Sequence, residues 1–372
     1  MGRHSTEKTK KKGGNVVKKI LVVLILLAIA GLGVYFGWEY IKKSEKTVEV
    51  ANGNTAVEGQ AEQEPEPEKQ VQIFSGNSRT VACMIDNHSD AWPQFSINSA
   101  YLVYEIIVEG GETRLMAVFK NQEPEQVGPM RSSRHYFLDY ALENDAIYAH
   151  IGWSPQAQSD IRKLGVNNIN GLEYDTGRAW KDGDVFWRIS GKYKAPHNSI
   201  TNIKTIKEAA TKKGYSTTSN KESVLNYVVD EVELAEREDA IPATDVTIPF
   251  STLQKVNFKY DEATKTYTRY ARTKLQTDAV TQTNITTKNI IITFAENYTL
   301  SDGENKGRQG LKNIGTKNGY YITNGQAIKI TCTKNDRQSQ TVYKDVEGNE
   351  INVNDGNTFI EICPINADVV IQ

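Results

Sequence analysis

The longest apolar run in this chain is Ile20 to Trp38, ILVVLILLAIAGLGVYFGW, 19 positions without a charge. As a helix it would be about 28 Å long, enough to cross the hydrocarbon core of a bilayer. It has no polar face, so it does not read as a buried helix of a soluble domain. The stretch after it, through VEGQAEQEPEPEKQ, has no hydrophobic period at all. Its acidic, proline-bearing composition predicts an extended, disordered linker. From Arg79 the pattern changes again. TVACMID reads as a short buried strand, and AYLVYEIIVEGGETRLMAVFK as two strands around Gly110-Gly111. Gly128 to Asn144 has helical spacing, and AIYAHIG is a further strand. SPQAQSDIRKLG predicts a helix, with Ser154 as cap, Pro155 in the first turn and Gly165 as stop. ITNIKTIKEAATKKG predicts an amphipathic helix ending at Gly214.

Beyond ELAEREDAIPATDVTIPF the helix signals cease. YDEATKTYTRYAR, KNIIITFAEN, NGYYITNGQAIKITCTK, VYKDVEGNEINVNDGNTFIEIC and DVVIQ carry strand patterns, with turn residues at Asn324-Gly325, Glu347-Gly348-Asn349 and Asp355-Gly356. The fold class expected is a mixed α/β N-terminal module followed by a β-rich C-terminal module, with a single N-terminal transmembrane helix. The boundaries expected are a basic cytoplasmic tail (1–19), a transmembrane signal anchor (20–38), a disordered acidic linker (39–78), a site-bearing α/β domain (79–240) and a β-rich domain (241–372).

Charge orients this arrangement. Residues 1–38 hold 7 Lys+Arg against 1 Asp+Glu, so the remainder of the chain holds 37 against 45 and is net −8. The positive-inside rule puts the N-terminus in the cytoplasm and the bulk of the chain outside the cell membrane. The alternative, a cleaved signal peptide, lacks a small-x-small cleavage site, and no cysteine is placed for lipid attachment. An acidic body argues against nucleic acid as partner and confines anion recognition to local arginine clusters. Three cysteines in 372 residues make no disulfide framework. Cys83 reads as core, and Cys332 and Cys363 either pair or stay as buried thiols.

Polar and charged residues then single out a site between Met84 and Asn198. Glu105 and Glu109 are four apart, hence on one strand face. With a two-residue loop at Gly110-Gly111, Arg114 falls diagonally between them. This is either a carboxylate pair suited to acid–base work or a salt-bridged sheet surface. In GPMRSSR, Arg131 and Arg134 share a face of the first helical turn, beside Ser132. Arginines there oppose the helix dipole unless an anion, a phosphate or an acidic side chain, sits between them. His150 lies near a strand end and His197 in the loop APHN, as general acid or base, ligand or core histidine. G-W-S-P-Q lacks the second glycine of a nucleophile elbow, so Ser154 reads as a cap rather than a nucleophile. The set expected to line an Arg/Glu/His pocket is Asp86, Asn87, Glu105, Glu109, Arg114, Arg131, Ser132, Arg134, His150, Ser154, Arg188, His197 and Asn198. If the protein is an enzyme, Glu105, Glu109, His150 and His197 are its catalytic candidates. No P-loop, dinucleotide fingerprint, H-E-x-x-H or Cys/His spacing is present, so neither a cofactor nor a metal is expected.

These motifs, MIDN, VYE-x3-EGG-x-TR, GP-x-RS-x-R, DAIY-x-H-x-G-x-SPQA and APHN, resemble the YerB family of Gram-positive surface lipoproteins. The resemblance continues through TRY near Tyr267, KNIIITFA, GYYITNGQAIKI, VYKD-x-EG-x-EI and G-x-TFIEI, with order and spacing kept. It implies a two-module extracytoplasmic protein and no activity. The lipobox cysteine typical of that family is missing here, and the apolar segment 20–38 stands in its place. The function expected is a membrane-anchored envelope protein that binds a small anionic, phosphate-type group on a wall or lipid-linked ligand. The alternatives are a wall phosphoryl or glycosyl transferase or hydrolase, and a structural protein that recruits a partner.

Overall fold

The buried run TVACMID becomes β1 (Val81–Asp86), and the two runs around Gly110-Gly111 become β2 (Leu102–Ile107) and β3 (Thr113–Phe119). Every residue of these three strands is buried. That is why they read as continuous apolar runs rather than as alternation: both faces of their sheet are covered. AIYAHIG forms β4 (Ile147–His150), and β5 (Asn168–Asn170) follows the helix Pro155–Lys163. β1 is antiparallel to β3 and parallel to β4, β4 is parallel to β5, and β2 is antiparallel to β3. Thus β1, β2, β4 and β5 point the same way, and Asp86, Ile107, His150 and Asn170 end on one edge.

The computed structural model describes residues 69–372. The basic tail, the apolar segment 20–38 and most of the linker lie outside the described residues. Among the described residues no helix is long and apolar enough to cross a membrane. Residues 69–78, read from the sequence as linker, belong to the folded body. Phe74 packs edge-on against Tyr101, with ring centroids 5.2 Å apart. The backbone N–H groups of Gln72 and Ile73 both donate to the Asp355 carboxylate, at 2.8 and 2.9 Å.

The C-terminal segment completes the same sheet. Strand Thr358–Pro364 lies parallel to β2, opposing Glu361 to Glu105, and continues through Asn289–Ala295, Gly315–Thr323, Gln326–Lys334 and Val342–Asp345. The result is one mixed sheet of 11 strands shared by the N- and C-terminal segments. The turn at Asn324-Gly325 is the expected one: both residues have positive φ, 49° and 72°, and Thr323 pairs with Gln326.

A smaller antiparallel sheet, built on Asp245–Pro249, Lys255–Asp261 and Thr266–Ala271, covers one face of the large sheet together with helix Ile203–Lys212. Its burial alternates, so its other side faces solvent. The opposite face of the large sheet carries helices Phe137–Glu143 and Pro155–Lys163. There Lys334 reaches Glu143 at 2.8 Å, both side chains buried, with the Tyr104 hydroxyl donating to the same carboxylate at 2.8 Å. The predicted cap holds: Ser154 Oγ accepts from Ala157 N at 3.2 Å; the later helix is capped by Asn202.

The helix expected over Gly128 to Asn144 is shorter. Only Phe137–Glu143 is helical. Residues 128–134 are drawn out alongside the end of β1, where Asp86 N donates to Pro129 O and Arg131 N to Met84 O, both at 2.8 Å. Backbone pairing with β1 outcompetes the local helical spacing. The three cysteines are free and buried. Cys332 and Cys363 belong to the cores on opposite faces of the sheet, so they do not pair.

Candidate functional site

Asp86 is the last residue of β1 and lies at the edge where the parallel strands end, the place where open α/β sheets present ligand crevices. Its carboxylate is a meeting point. His88 N donates to Oδ1 at 3.0 Å, while His197 Nδ1 and Arg131 Nε lie 2.7 and 2.9 Å from Oδ2. A carboxylate only accepts, so Nδ1 of His197 carries a proton, and in the neutral ring the lone pair lies on Nε2. The Asp86 side chain is 5% exposed and that of Arg131 24%, so the arginine is the solvent side of the group. His197 arrives on the loop before strand Ser199–Thr201, whose partner is Phe186–Arg188. Arg188 and Asn198 brace this hairpin rather than face Asp86. Arg188 Nε donates to Asp175 at 2.8 Å, its Nη1 donates to Asn198 Oδ1 at 3.2 Å, and Asn198 Nδ2 donates to Ile189 O at 3.0 Å.

Beside Asp86, across the β1–β3 ladder, stands Arg114. It donates to Ser132 O at 2.6 Å and to Glu109 at 3.3 Å. Glu109, in the turn after β2, also receives a forked contact from Arg134, with Nε at 2.9 Å from Oε2 and Nη2 on Oε1. Burial works against the charged form of Glu109, but the two guanidiniums prevail and hold its carboxyl at about 2. Burial, with Arg134 adding repulsion, lowers Arg114 to about 10. Arg131 and Arg134 therefore stand on an extended segment, not at a helix N-terminus. The helix-dipole argument for an anion between them does not apply, because Glu109 is the counter-charge of Arg134.

Glu105 is not in this group. The hairpin turns through three residues, Glu109–Gly111, and pairs Ile107 with Thr113 and Ile106 with Arg114. The expected register paired Ile107 with Arg114. A shift of one residue exchanges the faces of a strand. Glu105 consequently points to the face away from Arg114, where it is fully buried. It accepts from Asn87 Nδ2 at 3.0 Å, Thr113 Oγ1 at 2.6 Å and Arg269 Nη2 at 2.6 Å. Asn87 thus serves the core as well. Next to Glu105 on the neighbouring strand sits Glu361, buried, with neither oxygen partnered among the described residues. Burial and the adjacent Glu105 push its carboxyl well above the usual range. The glutamate inside TFIEI was the available sequence signal for this core, a charge in an otherwise apolar strand.

His150 and Ser154 are also inside. His150 is fully buried, its Nδ1 is 2.8 Å from Gly152 O, and burial lowers it to about 4, so it is neutral. Ser154 is buried, and its oxygen is engaged in the helix cap. The structure therefore gathers Asp86, Glu109, Arg114, Arg131, Ser132, Arg134 and His197 at one edge. It leaves Asn87, Glu105, His150 and Ser154 in the interior and Arg188 and Asn198 as braces.

Sequence reasoning passed over His88, Asp90, Glu112 and Arg272. The imidazoles of His88 and His197 stack, with centroids 4.6 Å apart and planes inclined at 21°. Arg272, from the small sheet, pairs with Glu112. The polar cluster Asp86, His88 and Asp90, at the end of β1 and in the 3-10 turn Ser89–Ala91 that follows, was the available signal. A cavity of about 820 Å³ lies elsewhere, among Phe294, Tyr320, Lys329 and Ile365. A second, of about 500 Å³, is lined by Trp180, Trp187, Glu125 and Asp182.

Comparison with known proteins places the whole body. Residues 67–216 match the family described as "Protein of unknown function (DUF3048) N-terminal domain", and residues 246–360 match its C-terminal domain. The chain is 31% identical over 300 residues to "Putative lipoprotein YerB" of Bacillus subtilis (strain 168), covering 77% of this chain and 81% of that protein. The crystal structure of YerB from Bacillus subtilis superposes with a TM-score of 0.68 at 28% identity, over 82% of this chain and 97% of that one. Both segments of the shared sheet thus fall within matched regions, and the chain belongs to the two-part DUF3048 family.

Proposed function

We propose that this protein is an extracytoplasmic, membrane-attached binding protein of the cell envelope, and that the edge around Asp86 receives a small anionic, phosphate-type group. The relative named a lipoprotein supports the location, and the apolar segment 20–38 would serve here as a single-pass anchor. The observation that carries the binding reading is Arg131. Three arginines (Arg114, Arg131 and Arg134) crowd two carboxylates (Asp86 and Glu109), and Arg131 is the one turned to solvent. A planar, always-charged guanidinium beside a buried carboxylate can exchange water for a bidentate oxyanion without unfolding its support.

Catalysis by Glu105 or Glu109 is disfavoured by their surroundings. Glu109 at about 2 is a poor proton acceptor, and Glu105 is sealed beneath the small sheet. The enzyme alternative would instead rest on His197, whose ring Asp86 orients at 2.7 Å as a carboxylate orients a general base.

The test is a thermal-shift titration of the full chain in detergent with inorganic phosphate, pyrophosphate and a lipid-linked wall precursor, beside Arg131→Ala. One of the three should raise the melting temperature of the wild type and leave the variant unmoved, with the two unliganded proteins melting within a few degrees of each other. If no anion acts on the wild type, the binding reading fails.

A further inference from the structure

We propose that His88, Asp90 and His197 form a binding site for a borderline divalent transition metal, with Zn²⁺ as the best match. One ligand atom from each of the three lies within 4.8 Å of the others. The two histidines are far apart in sequence, so the tertiary fold brings them together. A local run of polar residues would not.

His197 is oriented for a metal, whereas His88, whose ring stacks on that of His197, has to turn to aim its lone pair at the same ion. His197 donates Nδ1–H to Asp86, which turns the lone pair of Nε2 outward. This is the carboxylate–histidine pairing that fixes tautomer and orientation in metal sites. His88 Nδ1 accepts a long hydrogen bond from Asp90 N at 3.2 Å, so that nitrogen holds its ring's lone pair. It stands 3.7 Å from Asp90 Oδ2. Ligands about 2.1 Å from a tetrahedral zinc are separated by about 3.4 Å, so closing onto the ion needs the exposed Asp90 to approach and its N–H to release His88 Nδ1. The other nitrogen of His88, which then carries the proton, faces Glu112 Oε1 at 3.8 Å. Each ligating imidazole thus has a carboxylate behind it. Glu112 is itself held by Arg272, and Asp86 by Arg131.

Two imidazoles and a carboxylate, with no thiolate, favour zinc over the hard cations calcium and magnesium, which take all-oxygen shells. Three protein ligands leave a position open, the pattern of sites that bind a further group rather than only brace a fold. The metal site goes beyond the anion reading and stands without it.

The experiment is calorimetric titration of metal-stripped full chain in detergent with Zn²⁺ alone, with Mg²⁺ and Ca²⁺ as comparisons. A single Zn²⁺ per chain should bind, and the two hard cations should not compete. His88→Gln and His197→Gln should each weaken Zn²⁺ at least 100-fold. Asp86→Asn, which removes only a positioning carboxylate, should weaken it about 10–100-fold. Wild-type protein loaded with Co²⁺ should show the visible bands of a low-coordinate site and two paramagnetically shifted imidazoles, a readout independent of whether any variant folds. Absence of Zn²⁺ binding, or a Co²⁺ spectrum without histidine ligation, overturns the proposal, as does affinity unchanged in both histidine variants. Zn²⁺ binding with no phosphate response would keep the metal site and discard the anion reading.

Discussion

Glu109 shows how a single side chain is worth more than its exposure suggests. Its side chain is 27% exposed, yet it is the counter-charge of two arginines whose side chains are 8% exposed. Glu109→Gln should destabilise the protein by about 2–4 kcal/mol at neutral pH, because two nearly buried guanidiniums lose their anion. The folded-state carboxyl titrates at about 2 against 4.5 for the free group, so the stabilisation is complete above about pH 4.5. It is lost as pH falls towards 2. Urea unfolding of both proteins between pH 7 and pH 2.5 should show the gap narrowing below pH 4.5, and a constant gap would refute the assignment. At this scale the sequence named several residues that the fold brings together and misjudged the surroundings of others. Motif reading located Asp86, Glu109, Arg131 and His197. It could not tell that His150 and Glu105 turn inward, since burial of a polar group depends on what packs over it.

At the scale of elements, the decisive event was a hairpin register. The Gly110-Gly111 signal located the turn, but a three-residue turn in place of a two-residue one moved Glu105 to the opposite face from Arg114. Turn length decides register, and glycine pairs serve several lengths. The segment before helix Phe137–Glu143 was misread for a related reason: its backbone groups find partners on β1, which periodicity cannot see. Gly319 marks another constraint of this kind. A Cβ there would come 2.1 Å from Ile292 O on the neighbouring strand. Gly319→Ala should force apart strands Gly315–Thr323 and Asn289–Ala295 and cost about 1–3 kcal/mol or more, read as a lower urea midpoint. An unchanged midpoint would mean that the two strands are less closely apposed than described.

For the whole molecule, the shared sheet makes the two family segments depend on each other. β2 is buried on both faces, apolar but for Tyr104 and Glu105, and has Thr358–Pro364 as its neighbour. Residues 69–240 expressed alone would expose β2 as a long, flat, apolar edge, the type that pairs with other chains. They would also leave Glu105 without Arg269 and Glu143 without Lys334. The isolated segment should aggregate or lack cooperative unfolding, and co-expression with 241–372 as a second chain should restore a soluble complex on size-exclusion chromatography. A monodisperse, cooperatively melting 69–240 fragment would show that the sheet tolerates the loss.

Local order was in the sequence because it depends on near neighbours. Ser154 and Asn202 cap their helices through groups three residues away, and Asn324-Gly325 sets its hairpin through its own backbone angles. The apolar run of β1 announced a buried strand, and the runs of β2 and β3 announced a hairpin. Tertiary structure decided what distance in the chain conceals. It placed Glu361 against Glu105, laid the small sheet over both, and brought His197 onto Asp86 beside His88. Those contacts follow from which apolar faces meet and which strand edges pair. Both are settled by the burial of the whole chain, so no single stretch of residues records them.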